Sequence, residues 1–277
     1  MDTVALPDGS TVAQLGLGTW RMGEHAQRRA AEIGVVRLAL DLGITLIDTA
    51  EMYADGGAEA LVGEALAGRR DQAFIVSKVY PHNASRRGVP AACERSLKRL
   101  RTDRIDLYLL HWRGEHPLAE TVEAFERLRQ AGKIRRWGVS NLDVDDLEEL
   151  AALPAGSHCT TDQVHYSASA RGVEFDLLPW LRARRMPMMA YSPIDEGRLA
   201  DNATLAAIGA RHGASAAQVA LAWVLRHPDV IAIAMTADAR HLRDNRAALE
   251  LRLAPADLAE LDRRFAPPAR KAPLSMI

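Results

Sequence analysis

Four ionisable side chains stand at or just beyond short apolar runs in the first half of this chain. Asp48 follows the run 44–47, Lys78 follows 74–76, His111 follows 105–110, and Tyr53 comes five residues after Asp48. Such runs are typical of buried β-strands, and the C-terminal ends of parallel strands carry the active sites of α/β folds. We therefore expect a carboxylate, a phenol, an ammonium and an imidazole to meet at one rim. Such a set can donate a proton to a carbonyl oxygen.

The chemistry of these groups gives each a role. A free tyrosine has a pKa near ~10, and a nearby ammonium stabilises its phenolate. We expect Tyr53 to be the general acid, with Lys78 tuning it and Asp48 keeping the lysine charged and aimed. Neutral His111 would hydrogen-bond and orient the carbonyl. No Ser, Cys or Thr lies beside an activating base, so the incoming group is expected to be a hydride from a nicotinamide.

Eight short apolar runs alternate with stretches of helical periodicity and would position these groups. They centre on residues 15–17, 46–47, 74–76, 107–110, 137–139, 161–164, 188–190 and 231–233. Eight β/α units with short connections predict an α/β fold of the (β/α)8 TIM-barrel type, in one domain spanning residues 1–277. A doubly wound sheet is the alternative, but no GxGxxG opens a helix after the first strand.

Local signals at the chain's turns add detail to this barrel. The runs 4–6 and 11–13 flank Pro-Asp-Gly-Ser, which predicts an N-terminal β-hairpin that could cover the barrel floor. Asp143 and Ser215 are placed as helix N-caps, and Gly132 just past a helix end.

Composition excludes several classes of function. Lys and Arg total 35 against 36 Asp and Glu, for a net charge of −1, so we expect no nucleic-acid partner. Neither a signal peptide nor a membrane-spanning run is recognisable, which predicts a cytoplasmic protein without membrane contact. Cys93 and Cys159 lack metal-ligand or CxxC spacing, so inert thiols are expected and no metal is implied.

Taken together, these residues resemble the aldo-keto reductases over essentially the full chain. The matching strings run from Gly-Leu-Gly-Thr-Trp at 16–20, through Asp-Thr-Ala at 48–50, Tyr53, Lys78 and His111, to Gly-Val-Ser-Asn at 138–141, Gln163 and Ala-Tyr-Ser-Pro at 190–193. The segments 48–59, 77–81 and 132–141 are most similar to the bacterial branch of small-aldehyde reductases that includes methylglyoxal reductases.

The resemblance implies an NADPH-dependent reductase whose nicotinamide lies in the barrel mouth. Its carboxamide would be held by Ser140, Asn141 and Gln163, and its ring would stack on Tyr191. The further cofactor-binding positions implied are Thr19, Trp20, Asp48, Ser192, Thr236, Arg240, His241, Asp244 and Asn245.

The adenosine end departs from the family's pattern. Met235 stands where the family commonly has a lysine, and a thioether cannot pair with a 2′-phosphate. Thr236, Arg240, His241 and Arg243 could still supply hydrogen bonds and charge. NADPH is therefore the expected cofactor, with NADH or dual use as the alternative.

The expected substrate pocket has Trp20, Tyr53, His111 and Trp112 as walls. The loop after His111 is short and only twelve residues follow Phe265, which predicts a shallow pocket. Small activated carbonyls such as methylglyoxal or nitrobenzaldehydes would be selected by electrophilicity, by a monomeric enzyme. The competing function is a cofactor-binding regulatory barrel, similar to potassium-channel β-subunits.

Overall fold

A closed barrel of eight parallel strands forms the centre of the protein. The computed structural model describes residues 2–277. The barrel strands are β3 (Leu15–Gly18), β4 (Leu46–Asp48), β5 (Phe74–Val79), β6 (Ile105–Leu110), β7 (Ile134–Ser140), β8 (Cys159–His165), β9 (Met188–Tyr191) and β10 (Val230–Met235). They pair in sequence order and close through β10 and β3. Each of the eight apolar runs in the sequence falls in one of these strands, so the predicted barrel is confirmed.

Helices surround the barrel and connect the strands. They are α1 (Arg29–Asp41), α2 (Gly57–Ala65), α3 (Gly88–Leu100), α4 (Leu118–Gln130), α5 (Val144–Ala151), α6 (Leu177–Ala183), α7 (Ala203–His212), α8 (Ala216–Leu225), α9 (Ala239–Ala247) and α10 (Pro255–Arg264). Apolar side chains facing the barrel, such as Val36 of α1 and Phe125 of α4, are fully buried in the layer between strands and helices. This packing fixes the strand ends that carry the site.

An antiparallel hairpin closes the floor of the barrel. Strands β1 (Thr3–Ala5) and β2 (Thr11–Ala13) pair with each other, as predicted to within one residue. Val4, Leu6 and Val12 pack in one cluster with inward-facing barrel side chains. The members from the barrel are Leu46, Val76, Leu107, Leu109, Met189, Ile231 and Ile233. The barrel interior below the rim is therefore filled and apolar.

The predicted helix ends are confirmed. The Asp143 carboxylate accepts a hydrogen bond from the Val144 amide at the start of α5. Ser215 forms a reciprocal capping box with Gln218 at the start of α8. Gly132 has a φ of 72°, the left-handed conformation that ends the chain's helical path after α4.

Both cysteines are buried, as the sequence suggested. Burial raises the pKa of the Cys93 thiol to about 12 and raises that of Cys159 further. Over residues 2–277, no helix is both long and apolar enough to cross a membrane, and no three His, Cys, Asp or Glu side chains gather as a metal site.

Candidate active site

Three neighbouring strands and one turn bring the four ionisable side chains together. Asp48 ends β4, Lys78 is the penultimate residue of β5, and His111 directly follows β6. Tyr53 opens a tight turn (Tyr53–Gly56) after β4. The turn is strained, because the non-glycine residues Ala54 and Asp55 have φ values of 50° and 52°.

Lys78 lies at the centre of the group. Its ammonium is 2.6 Å from Asp48 Oδ1 and 3.2 Å from Tyr53 Oη, and it donates to the Thr49 carbonyl at 3.0 Å. All three donor positions are thus used. The second Asp48 oxygen accepts from Gln163 Nε2 at 2.8 Å. Because Lys78 is fully buried and Asp48 nearly so, this ion pair is held in a rigid geometry away from bulk water.

The protonation states follow from burial and these contacts. Burial favours the neutral lysine, but Asp48 and Tyr53 outweigh it and raise the pKa of Lys78. Burial is also the main reason that the pKa of Tyr53 is raised, with Lys78 acting in the opposite direction. The sequence argument anticipated the lysine's effect and not the larger effect of burial. The phenol therefore keeps its proton at neutral pH while beside a charged ammonium.

His111 faces Tyr53 across the pocket. The two rings are nearly perpendicular, with centroids 5.9 Å apart. Burial, reinforced by the nearby Lys78 charge, lowers the pKa of His111 to about 2, so the imidazole is neutral as expected. Its Nδ1 is buried and has no hydrogen-bond partner. A neutral imidazole beside a protonated phenol can bind a carbonyl oxygen from two sides.

A cavity of about 450 Å³ opens above the four groups. Its walls include all four residues of the predicted substrate pocket, Trp20, Tyr53, His111 and Trp112. Met52, Met276 and Ile277 also line it, although no sequence pattern pointed to them. The short tail after Phe265, from which a shallow pocket was expected, thus contributes its last two residues to the wall at the barrel mouth.

Strands β7, β8 and β9 bring the predicted carboxamide-binding residues to the same cavity. Ser140 Oγ donates to the Gln163 carbonyl at 2.7 Å, and Asn141 Nδ2 donates to the His111 carbonyl at 3.1 Å. Tyr191 Oη donates to Asn141 Oδ1 at 2.9 Å. These three strand ends form one hydrogen-bonded wall opposite Tyr53.

A second cavity of about 500 Å³ adjoins the first. The predicted residues that line it are Trp20, Ser192, Thr236, Arg240, His241, Asp244 and Asn245. Met235 is 40% exposed and borders both cavities. Thr19 differs from this set, because it is fully buried and its hydroxyl donates to the Asp48 carbonyl at 2.9 Å.

Arg21 is a cation of the second cavity that the sequence argument missed. Its guanidinium lies 4.3 Å from the centre of the Trp20 ring, and its φ is 65°. The only signal in the sequence is a basic residue next to the Gly-Leu-Gly-Thr-Trp string. With Arg240, it gives this cavity two basic side chains in its lining, which can attract an anion.

Comparison with known proteins agrees with this geometry. The model of the Aldo/keto reductase family matches residues 14–264. The chain belongs to the aldo/keto reductase family. Its relatives include methylglyoxal reductase YeaE of Escherichia coli (strain K12), which is 53% identical over 95% of this chain and 94% of the relative. Glyoxal reductase of Bacillus subtilis (strain 168) is 32% identical over 94% and 92% of the two chains.

Solved aldo/keto reductases have the same fold. The crystal structure of an aldo/keto reductase from Klebsiella pneumoniae in complex with NADP and acetate superposes with a TM-score of 0.97. The two sequences are 49% identical, over 100% of this chain and 99% of the other. The predictions of an aldo-keto reductase fold and of an enzyme of this family are confirmed.

Proposed function

We propose that this aldo/keto reductase uses NADPH to reduce small aldehydes and activated ketones, of which methylglyoxal is the model, to alcohols. The observation that carries the proposal is the buried contact between the Lys78 ammonium and the Tyr53 hydroxyl at 3.2 Å, on the floor of a cavity also bordered by neutral His111. The relative that is 53% identical is a methylglyoxal reductase, which supports the substrate class.

The residues present fit a nicotinamide cofactor. Asn141 and Gln163 offer the donors and acceptors that a carboxamide needs, and Tyr191 offers a flat ring beside the same cavity. Arg21 and Arg240 offer positive charge to phosphate groups in the second cavity. The Klebsiella relative was crystallised with NADP. When bound, NADPH supplies the hydride that reduces the carbonyl carbon.

The protein's own part in the reaction is to bind and polarise the carbonyl oxygen and to protonate it. His111 orients the oxygen by a hydrogen bond, and the Tyr53 hydroxyl donates its proton as negative charge develops there. Lys78 stabilises the resulting phenolate, and Asp48 keeps the ammonium charged and in place. The apolar floor keeps water from reaching the site from below.

Stopped-flow oxidation of bound NADPH by methylglyoxal tests the proposal. We expect rapid oxidation by the wild-type protein, and a Tyr53→Phe variant that is slower by a factor of about 10²–10⁴ with nearly unchanged NADPH affinity. Oxidation of wild-type-bound NADPH that is slow with every aldehyde would instead support a regulatory cofactor-binding barrel. A Tyr53→Phe rate within tenfold of wild type would remove the phenol from the mechanism.

We further infer that the protein acts as a cytoplasmic monomer. Over residues 2–277 the exposed large apolar side chains are Met52, Phe175, Met235, Met276 and Ile277, and all except Phe175 border the active-site cavity. An apolar surface concentrated at a substrate site leaves little for a subunit interface. Size-exclusion chromatography with light scattering tests this: a dimer mass would contradict it.

A further inference from the structure

The chain after α10 crosses the barrel mouth as a tail (residues 266–277) with separate anchors. Lys271 Nζ reaches Asp143 at 3.2 Å and Asp176 at 3.1 Å, in ion pairs that are partly exposed. Nearer the cavity, Ser275 Oγ lies 2.9 Å from His165 Nδ1. Because Met276 and Ile277, the residues that line the cavity, directly follow Ser275, this bond is a polar anchor beside them, together with a contact between the Ile277 backbone and the Tyr191 hydroxyl.

His165 is buried at the end of β8, where it touches a second important residue. It is paired in register with Tyr191 on β9, and the two rings lie nearly parallel, 14° apart with centroids separated by 5.6 Å. Only 3% of His165 is exposed. One imidazole therefore supports both the aromatic ring proposed to cover the nicotinamide and the tail over the substrate.

The surroundings of His165 determine which ring nitrogen carries the proton. Nε2 lies 3.5 Å from Asp195 Oδ1, a carboxylate already bonded to Arg198 and Ser169. No hydrogen bond joins these two groups, but a lone pair on Nε2 would face this negative charge, which favours the tautomer with its proton on Nε2. Nδ1 is then the acceptor, and the Ser275 hydroxyl donates to it.

We propose that His165 is a positioning residue that determines substrate specificity by holding the tail over the active-site cavity through Ser275 and by supporting the ring of Tyr191. It touches no reacting atom. Carbonyl compounds with a large apolar group reach Met276 and Ile277 and depend on this anchor, whereas methylglyoxal is too small to do so. This inference rests on the proposed reductase activity.

Steady-state kinetics with two aldehydes separates this role from a structural one. In Ser275→Ala we expect the KM for 4-nitrobenzaldehyde to rise about three- to tenfold, with kcat and the KM for methylglyoxal within about twofold of wild type. Ser157→Ala, which alters an exposed serine before the other end of β8, is the matched control and should change neither.

Two His165 variants separate the effect of its contact with Ser275 from that of its contact with Tyr191. His165→Phe keeps a ring against Tyr191 but loses the acceptor, so it should match Ser275→Ala, and the double variant should be no worse than either single one. His165→Asn keeps an acceptor near the position of Nδ1 but loses the ring. Compared with His165→Phe, it should restore the KM for 4-nitrobenzaldehyde to near the wild-type value. It should instead weaken NADPH binding severalfold. Additive effects, or no rescue by Asn, would overturn the proposal.

Hydrogen–deuterium exchange of residues 272–277 tests the anchor without using activity. Faster exchange in Ser275→Ala and His165→Phe, but not in Ser157→Ala, is expected. Unchanged exchange would refute the anchor even if the reductase activity is confirmed. If the exchange results confirm the anchor but the protein reduces no aldehyde, both the proposed function and the anchor's role in substrate specificity are refuted. The contact between Ser275 and His165 would still be established.

Discussion

Replacing Lys78 by methionine should destabilise the fold as well as stop the reaction. The change removes the ammonium 2.6 Å from Asp48 and leaves a carboxylate that is 2% exposed with only the Gln163 amide as its side-chain partner. Breaking a buried ion pair by deleting one partner costs about 3–5 kcal/mol. We therefore expect the free energy of unfolding to fall by about that amount.

Two further variants provide a control for this prediction and separate the effect of Lys78 on stability from its effect on the reaction. Arg86 and Glu123 are similarly close, 2.7 Å apart, but their side chains are 50% and 41% exposed. Arg86→Met should therefore leave the free energy of unfolding close to that of the wild type, because solvent screens this pair. The double variant Lys78→Met/Asp48→Asn removes the isolated charge, so it should recover most of the lost stability while remaining inactive.

Urea unfolding followed by tryptophan fluorescence measures the stabilities, and single-turnover oxidation of NADPH measures the reaction. We expect the stable double variant to oxidise NADPH more slowly than wild type by a factor of about 10²–10⁴. A Lys78→Met cost no larger than that of Arg86→Met would refute the buried-pair argument. A double variant with activity within tenfold of wild type would refute the role of the ammonium in proton transfer.

Further predictions concern the cofactor, an imidazole and a buried carboxylate. Met235→Lys should increase the preference for NADPH over NADH about tenfold at low salt, and less at high salt because position 235 is 40% exposed; fluorescence titration of both cofactors measures this. The pKa of His111 is about 2 when folded, so kcat/KM should show no imidazole ionisation near pH 6.5. The unfolded chain takes this proton first, so the unfolding free energy should fall as pH drops below about 6.5, less steeply in His111→Gln. Asp162 is fully buried without a side-chain hydrogen-bond partner, and burial raises its pKa well above the usual range, against a weaker opposing contact with the Leu142 backbone. A carboxyl whose pKa is raised by folding stabilises the folded protein only while it is protonated, and this contribution is lost as pH rises. Asp162→Asn should therefore raise the unfolding free energy at pH 7 by about 1–3 kcal/mol, measured by urea titration. The exposed Asp145→Asn should leave the unfolding free energy unchanged in the same titration.

The barrel and the four central groups could be predicted from sequence because both depend on local pattern. Each strand is a short apolar run, and each functional side chain stands at or just beyond the end of such a run. Asp48 and Lys78 meet because neighbouring parallel strands end at the same rim. That the two strands are neighbours follows from strand order alone.

Features that depend on distant contacts could not be predicted in this way. The tail has no periodic pattern, and its path is fixed by Lys271 and Ser275 contacts to residues about a hundred positions away. The upward shift of the Tyr53 pKa was not predicted, for a related reason. It is the balance of burial against the Lys78 charge, and the degree of burial depends on how the whole cavity is enclosed.

The hairpin below the barrel has a consequence for repeated turnover. Val4, Leu6 and Val12 seal a floor whose inner side chains are apolar, so a proton cannot be relayed to the site from beneath. In the proposed reaction, a phenolate at Tyr53 would therefore be reprotonated from the open rim, by water that enters once the alcohol has left. The alcohol would thus leave, and Tyr53 would then regain its proton, through the same opening at the barrel rim.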